Sequence, residues 1–150
     1  MKIVVDTNIL ISAASDENSY AFKIIKEVID GRLEAFASHK TMGENRQMLR
    51  KLVRDLEYRK LLEEFFRKLN IVKVYEPLSV VADEEDNKLV ESAVSAGADY
   101  LISNDKLVLD LHEYHGTKVV TPEFFWTKYK AESSDDNSAW GDWTRLVMGK

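Results

Sequence analysis

The chain has 150 residues, of which 45% are hydrophobic and two are proline, and this size and apolar content suit one compact domain with a core. The absence of cysteine excludes disulfide bonds and thiolate zinc sites, and it favours a reducing compartment. The net charge of −5 argues against a protein that coats nucleic acid through a diffuse positive field.

The apolar runs and the N-terminal sequence predict a protein that does not enter a membrane. No apolar run approaches the roughly 20 residues that are needed to span a bilayer. The first apolar stretch ends at Asp6, too early to form the apolar core of a signal peptide. We therefore expect a soluble, unprocessed and cytoplasmic protein.

Short apolar runs alternate with helical patterns along the chain. The β-branched run at residues 2–5 is typical of a buried central strand, and Asp6 stands at its carboxyl end. Strands that alternate with helices predict an α/β fold, a three-layer α/β/α sandwich with a mainly parallel central sheet of four to five strands. Further strands are predicted at 34–37, 71–75, 99–103 and 117–120, and helices at 18–31, 38–53, 55–69, 83–97, 106–114 and from Pro122 onward.

One change in composition divides the chain. Residues 133–138 are all polar and predict a linker, so we assign residues 1–130 to one domain and residues 131–150 to a linker and a short tail. In the tail, Trp140, Trp143 and Val147 share one face of a short helix if the tail is helical. Such a helix could cover a groove or build a dimer contact, and the alternative is a frayed terminus.

Two acids are predicted beyond the carboxyl ends of strands, which is the usual location of a site in a parallel α/β sheet. Asp6 ends the first strand, and Asp105 follows the strand at 99–103 by two residues. The alternative for either acid is an ordinary turn or helix-cap residue. The polar neighbours that could support the two carboxylates are Thr7, Asn8, Ser103 and Asn104.

Two further acids are predicted on the inner faces of helices. Asp86 shares a helical face with the apolar stripe that ends at Gly97, so its carboxylate should point towards the sheet. Glu44 lies one and two turns before Met48 and Leu52, on what the sequence indicates is the apolar side of its helix. Inward carboxylates are costly unless they are paired, hydrogen-bonded or bound to metal.

Four converging carboxylates repel one another and raise their own pKa values, and a divalent cation would relieve that repulsion. Oxygen ligands without cysteine suit Mg²⁺ or Mn²⁺ better than zinc. Such a centre supports hydrolysis of a phosphodiester, because the metal lowers the pKa of an attacking water and offsets charge on the leaving oxygen. The predicted catalytic and metal-binding residues are Asp6, Glu44, Asp86 and Asp105.

A basic segment lies between Lys40 and Lys68. The favoured interpretation is a pair of solvated amphipathic helices with acid–base pairs, and the alternative is a surface that binds nucleic acid. The candidate RNA-binding residues are Lys40, Arg46, Arg50 and Arg54.

The order of the four acids resembles that of the PIN-domain family, in particular the VapC-like toxins of prokaryotic toxin-antitoxin systems. The sequence from Ile3 to Leu10, IVVDTNIL, resembles the first-strand motif of that family, whose Asp is the first metal ligand. Glu44 falls where the family places its second acid, on a helix after the second strand. The stretch from Asp86 to Asp105 resembles the part that carries the third and fourth acids.

The resemblance extends from residue 1 to about residue 128 and implies properties beyond the fold. These are Mg²⁺- or Mn²⁺-dependent ribonuclease activity, frequent dimerisation and inhibition by a cognate antitoxin protein. One departure is Gly43, which precedes Glu44 where the family commonly has a larger apolar residue. Asp83 is a second candidate near the metal, although capping of a helix is its expected role.

Two alternative functions are open at this point. A phosphatase of the HAD type also places an Asp at the end of its first strand, but it expects a second Asp two residues later, where this chain has Asn8. The other alternative is a PIN-like module that has lost its activity and binds RNA or a protein. The presence of all four acids argues against that loss.

Overall fold

The computed structural model describes residues 1–75 and 77–134. The tail residues Trp140, Trp143 and Val147, for which a helix was one prediction, lie outside the described residues. The strands are β1 (Lys2–Val5), β2 (Glu34–Ser38), β3 (Asn70–Val72), β4 (Tyr100–Ile102), β5 (Glu113–Tyr114) and β6 (Thr117–Val120). The helices are α1 (Thr7–Ser12), α2 (Tyr20–Ile29), α3 (His39–Leu52), α4 (Leu56–Lys68), α5 (Glu84–Ala96), α6 (Lys106–Leu109) and α7 (Pro122–Ser134), with a 3₁₀ turn at Ala13–Ser15.

The described strands form one sheet in the order β3-β2-β1-β4-β6-β5. All neighbours are parallel except β5 and β6, which pair antiparallel. Strand β1 lies between β2 and β4, and Val5 pairs with Ile102. Because these strands are parallel and in this register, Asp6 and Ser103 emerge side by side at the same edge of the sheet.

Helices cover both faces of the sheet, and the strands supply alternating side chains to two apolar clusters. On one face, Ile3 and Val5 of β1 pack with α2, α4 and the buried Phe125 of α7. On the other face, Val4 packs with α5 and with Val108 of α6. The predicted three-layer α/β/α fold with a mainly parallel sheet is therefore confirmed.

The sheet has one strand more than predicted, because the predicted helix at 106–114 is wrong in its second half. The helix α6 ends at Leu109, and His112 then adopts a left-handed conformation with φ of 59°. The chain reverses at His115 and Gly116, with φ of 50° and 85°, as a two-residue hairpin turn requires. This turn pairs the two-residue strand β5 with β6.

At the C-terminal side, α7 continues through Ser134, so the boundary predicted after residue 130 falls inside a helix. Residues 131–133 are Ala, Glu and Ser, which contain neither the glycine nor the proline that would stop a helix. None of the helices in the described part of the chain is long and apolar enough to cross a membrane.

Candidate metal centre

Asp6 is held at the carboxyl end of β1 by contacts to both of its carboxylate oxygens. It caps α1, where its Oδ1 accepts a hydrogen bond of 3.1 Å from the backbone N–H of Asn8. Its Oδ2 accepts a hydrogen bond of 2.8 Å from the hydroxyl of Ser103. The side chain is only 5% exposed, so Asp6 is a buried acid with a fixed orientation.

Ser103 connects Asp6 to Asp105. The Ser103 hydroxyl, which is fully buried, donates to Asp6 and accepts a 3.0 Å hydrogen bond from the backbone N–H of Asp105. Asp105 in turn caps α6, with its Oδ1 accepting a 2.9 Å bond from the N–H of Leu107. The register of β1 and β4 thus brings two acids together that are 99 residues apart in sequence.

Asp86 approaches the same edge from α5. It lies in the first turn of that helix, on the stripe that also buries Leu89, Val90 and Ala93, as the sequence predicted. Asp83 caps the helix by accepting bonds from the backbone N–H groups of Glu85 and Asp86, at 2.8 and 3.3 Å. The Oδ2 atom of Asp86 is buried, and no N–H or O–H group in the described part of the chain donates to it.

Burial and the neighbouring carboxylates disfavour the charged forms of Asp86 and Asp6. The pKa of Asp86 is raised to about 7, first by burial and then by the charges of Asp105, Asp83 and Asp6. Burial also raises the pKa of Asp6, and the charge of Asp105 adds to that effect, while the bonds from Asn8 and Ser103 oppose it. The site is therefore an acidic cluster, and no cationic side chain among the described residues lowers the pKa of Asp6 or Asp86.

These residues suit a divalent cation in the chemistry of their donors. The cluster offers only oxygen atoms, one of them buried without a donor, and hard cations such as Mg²⁺ and Mn²⁺ prefer oxygen ligands. In the described ranges, however, no group of three His, Cys, Asp or Glu side chains is close enough together to hold an ion as it stands. Binding would therefore draw the three aspartates further together.

Glu44 is placed differently from the aspartates. Its carboxylate oxygens lie 3.0 and 3.2 Å from the Nζ atom of Lys88, which also contacts Glu85 at 2.8 Å. The pKa of Glu44 is lowered by the hydrogen bond from Lys88, and the charge of Lys40 contributes to the lowering. Glu44 is thus an ion-paired acid on α3, whereas burial and neighbouring carboxylates raise the pKa values of Asp6 and Asp86.

The predicted apolar side of α3, with Met48 and Leu52 beside Glu44, is wrong. Met48 is 44% exposed and Leu52 is 59% exposed. The buried stripe of α3 is instead formed, at intervals of four, by Thr41, Asn45 and Leu49. Two polar residues are tolerated in this stripe because they are hydrogen-bonded: Thr41 bonds to Ser38, and the side chain of Asn45 accepts from the hydroxyl of Thr7.

The predicted supporting residues divide into two groups. Ser103 contacts Asp6 directly, and Asn8 supports it through its backbone N–H. Thr7, which was expected to orient Asp6, instead donates to Asn45 and so joins α1 to α3. Asn104 is exposed and lies in a shallow pocket beside Pro122.

The predicted basic residues do not share one surface. Lys40, at the start of α3, lines a groove formed with β3 and α5. Arg46 and Arg50 line another groove, of about 290 Å³, between α3 and α4. There Arg46 pairs with Glu63 at 3.3 Å and stacks on the ring of Phe66. Arg54 is exposed in the segment between these helices.

The family model of the PIN domain matches residues 2–107, a range that includes all four candidate acids and most of the sheet. The chain belongs to the PIN-domain family. PIN domains are generally nucleases that use divalent metal ions, which agrees with the oxygen-rich cluster at the carboxyl edge of the sheet. The family that the sequence resembles is thus the family to which the chain belongs.

Two solved structures share the fold of this PIN domain. One is VapBC2 from Rickettsia felis bound to a DNA fragment from their promoter, with 13% identity, a TM-score of 0.55 and coverage of 81% of this chain and 98% of the other. The second is PAE2754 from Pyrobaculum aerophilum, with 20% identity, a TM-score of 0.57 and coverage of 87% and 99%. No curated protein sequence matches the chain.

Sequence reasoning missed two residues of this PIN domain that touch the candidate acids or their neighbours. Lys88 forms an ion pair with Glu44, which is 44 residues away in sequence. The side chain of Asn45 accepts a hydrogen bond from the hydroxyl of Thr7. Local pattern contains no signal for the pairing of Lys88, because it depends on how α3 and α5 are placed. Asn45 could have been found from the sequence, because it lies one turn after Thr41 and one turn before Leu49 on the same helical stripe.

Proposed function

We propose that this PIN domain is a ribonuclease that hydrolyses RNA phosphodiesters with Mg²⁺ or Mn²⁺ held by Asp6, Asp86 and Asp105, and with Glu44 as a fourth carboxylate. The observation that carries the proposal is the convergence of three aspartates from β1, α5 and the segment after β4, with the Oδ2 atom of Asp86 buried and without a donor. A divalent cation would balance their charge, lower the pKa of a water molecule and offset charge on the leaving oxygen.

The residues of the chain have distinct roles in this proposal. Ser103 contacts Asp6 through its hydroxyl and the backbone N–H of Asp105, so it holds the two residues side by side. The pKa of Asp86 is raised to about 7, and its proton must leave before the carboxylate can bind metal. Glu44 must separate from Lys88 to join the aspartates, which frees the ammonium group of Lys88 for a phosphate oxygen.

The biological role that we propose is that of a VapC-like toxin of a toxin-antitoxin system. Its support is the family together with the fold shared with the toxin-antitoxin complex VapBC2. The proposed partners are an RNA substrate in the cytoplasm, a cognate antitoxin protein and a second copy of the chain as a homodimer. Lys40, Arg46, Arg50 and Arg54 are proposed to contact RNA; Lys40, Arg50 and Arg54 are exposed, and Arg46 is half-buried.

The test is cleavage of a labelled single-stranded RNA in EDTA, Mg²⁺ and Mn²⁺, for the wild type and for Asp6→Asn. We expect cleavage only with metal, and we expect Asp6→Asn to lose at least about 100-fold in rate because a charged ligand is replaced by a neutral one. The matched control is Asp30→Asn, which makes the same change of charge at an exposed residue at the far end of α2. This control should cleave as the wild type does.

Other outcomes distinguish the alternatives. Turnover of p-nitrophenyl phosphate without cleavage of RNA would favour a phosphatase. Binding of RNA without cleavage under any metal condition would favour a PIN-like module without activity. Metal-dependent cleavage that survives in Asp6→Asn, Asp86→Asn and Asp105→Asn alike would contradict the assignment of the site.

A further inference from the structure

A groove of about 640 Å³ runs beside the candidate metal centre, between the carboxyl ends of β2 and β3 and the outer side of α5. Among the described residues, its charged lining consists of Lys40, Lys73, Lys88 and Glu91, and Lys88 is already paired with Glu44 and Glu85. Lys40 and Lys73 form no salt bridge within the described part of the chain. The groove therefore offers two lysines without an ion-pair partner among the described residues, on a chain whose net charge is −5.

We propose that this groove binds the single-stranded RNA next to the bond that is cut, with lysines on its phosphates and exposed side chains of the β3 segment against its bases. The inference rests on the proposed ribonuclease function and adds the location of the substrate strand. A polyanion complements Lys40 and Lys73, and cationic grooves that track a nucleic-acid backbone are the common means of binding single strands.

The groove is continuous with the candidate centre through Lys88. This residue lines the groove, and its Nζ atom lies 3.0 Å from Glu44 Oε1. Strand β3 is separated from β1, which carries Asp6, by β2 alone, or about 10 Å at the usual spacing of strands. A strand of RNA lying in the groove would therefore end near the edge of the sheet that carries Asp6.

The segment at the end of β3 provides the surface on which bases can stack. Tyr75 is 80% exposed, more than any other large hydrophobic residue in the described part of the chain. The Nζ atom of Lys73 lies 5.5 Å from the centre of its ring. Ile71 and Pro77 line the same groove. Aromatic rings beside cations are the usual combination for binding unpaired bases without sequence preference.

The first experiment measures binding of a fluorescent single-stranded RNA by anisotropy, in EDTA so that RNA remains intact, over a series of salt concentrations. The double variant Lys40→Ala with Lys73→Ala removes two groove cations without disturbing the pair of Lys88 and Glu44. We expect its Kd to rise about tenfold or more near 0.1 M salt, and the slope of log K against log salt to fall by about 1.4.

The matched control is Lys26→Ala with Lys23→Ala, two exposed lysines of α2 that lie outside the groove. Removing them makes the same change in net charge, so it reports the effect of the overall field. Thermal unfolding of each variant checks that the fold is retained. We expect the control to change Kd by less than about twofold, because it makes no phosphate contact.

A second pair of variants tests stacking. Tyr75→Ala should raise the Kd for RNA about fivefold or more, because it removes one aromatic surface. Tyr75→Phe retains the ring and should bind as the wild type does. If Tyr75→Ala and Tyr75→Phe bound RNA with the same Kd, the ring of Tyr75 would take no part in RNA binding.

Binding and cleavage together separate this inference from the proposed function. Loss of RNA binding in the groove variant, with no cleavage by the wild type in Mg²⁺ or Mn²⁺, would support the groove and overturn the nuclease. Normal cleavage and an unchanged salt slope in the groove variant would overturn the groove and leave the nuclease. A wild type that binds no RNA would overturn the groove, and a protein partner would then be the occupant to test.

Discussion

We expect the protonation state of Asp86 to affect both the stability of the fold and the binding of a metal ion. Its folded pKa of about 7 lies above the ordinary value of 3.8, so the folded chain holds a proton that the unfolded chain releases. The stabilisation of the folded state by this proton is fully present below about pH 4, and it is lost as the pH rises towards 7. A cation that replaces the proton should reverse this loss.

The pH dependence of stability in EDTA tests this assignment. Between pH 4.5 and 7.5 we expect wild type to lose on the order of 2 kcal/mol relative to Asp86→Asn, whose side chain does not titrate. Urea denaturation at several pH values measures the difference. Asp30→Asn should follow the wild type, and parallel curves for wild type and Asp86→Asn would place the pKa of Asp86 near its ordinary value.

At the scale of single residues, the positions of the aspartates could be predicted from the sequence, whereas the surroundings of Glu44 could be predicted only in part. Asp6 and Asp86 owe their positions to local pattern, a strand end and a helical stripe, which neighbouring residues reveal. The surroundings of Glu44 depend on Lys88, which α5 supplies from a distant part of the chain. Met48 and Leu52 led to the prediction of a buried apolar side of α3, but both residues are exposed.

At the scale of elements, helix caps place the acids. Asp6, Asp83 and Asp105 occupy the N-cap positions of α1, α5 and α6. Capping and metal binding, which the sequence offered as alternatives for Asp6 and Asp105, are therefore compatible. In both residues Oδ1 accepts the capping bond from a backbone N–H; Oδ2 of Asp6 also accepts from Ser103, and a carboxylate oxygen has a second lone pair for a cation.

Two substitutions of Asp83 separate its cap from its charge. Asp83→Asn retains a capping oxygen and removes a charge that raises the pKa of Asp86, so it should leave stability at pH 7 unchanged or slightly increased. Asp83→Ala removes the cap as well and should be less stable than Asp83→Asn by about 1 kcal/mol. Urea denaturation in EDTA gives both values, and equal stability of the two variants would contradict the capping role.

The boundaries of most elements followed from such local signals. Ser19, Ser38, Asp55 and Asp83 cap helices at or next to the predicted helix starts at residues 18, 38, 55 and 83, and Gly97 ends α5 with φ of 62°. The hairpin of β5 and β6 was missed because residues 106–114 contain apolar residues that fit a helix. The helix ends at Leu109, and the left-handed conformation of His112 then turns the chain towards β5, although nothing local requires a histidine to adopt it.

At the scale of the whole molecule, the sheet brings distant parts of the chain to one edge. The fold class followed from alternation of strands and helices, and the order of the strands places β1 and β4 side by side. Sequence alone could not predict the groove of Lys40 and Lys73, because its walls come from β2, β3 and α5. Surfaces built by several elements depend on packing, which local pattern does not record.

Because the candidate ligands come from separate elements, a bound cation should stabilise the entire fold. At a concentration of Mn²⁺ 100 times its Kd, we expect a gain of about 2.7 kcal/mol in the free energy of unfolding, which is roughly 5–10 °C in Tm for a chain of this size. Thermal unfolding in EDTA and in Mn²⁺ measures the gain for the wild type. The proton of Asp86 competes with the cation, so the gain should be smaller at pH 5.5 than at pH 8.

The variants then rank the ligands. Asp6→Asn and Asp86→Asn should lose most of the gain at equal Mn²⁺, and Glu44→Gln should lose less, because Glu44 is already neutralised by Lys88. Asp30→Asn should keep all of it. If Asp86→Asn gained as much from Mn²⁺ as the wild type does, the ion would be bound elsewhere, and the buried Oδ2 atom of Asp86 would need a different explanation.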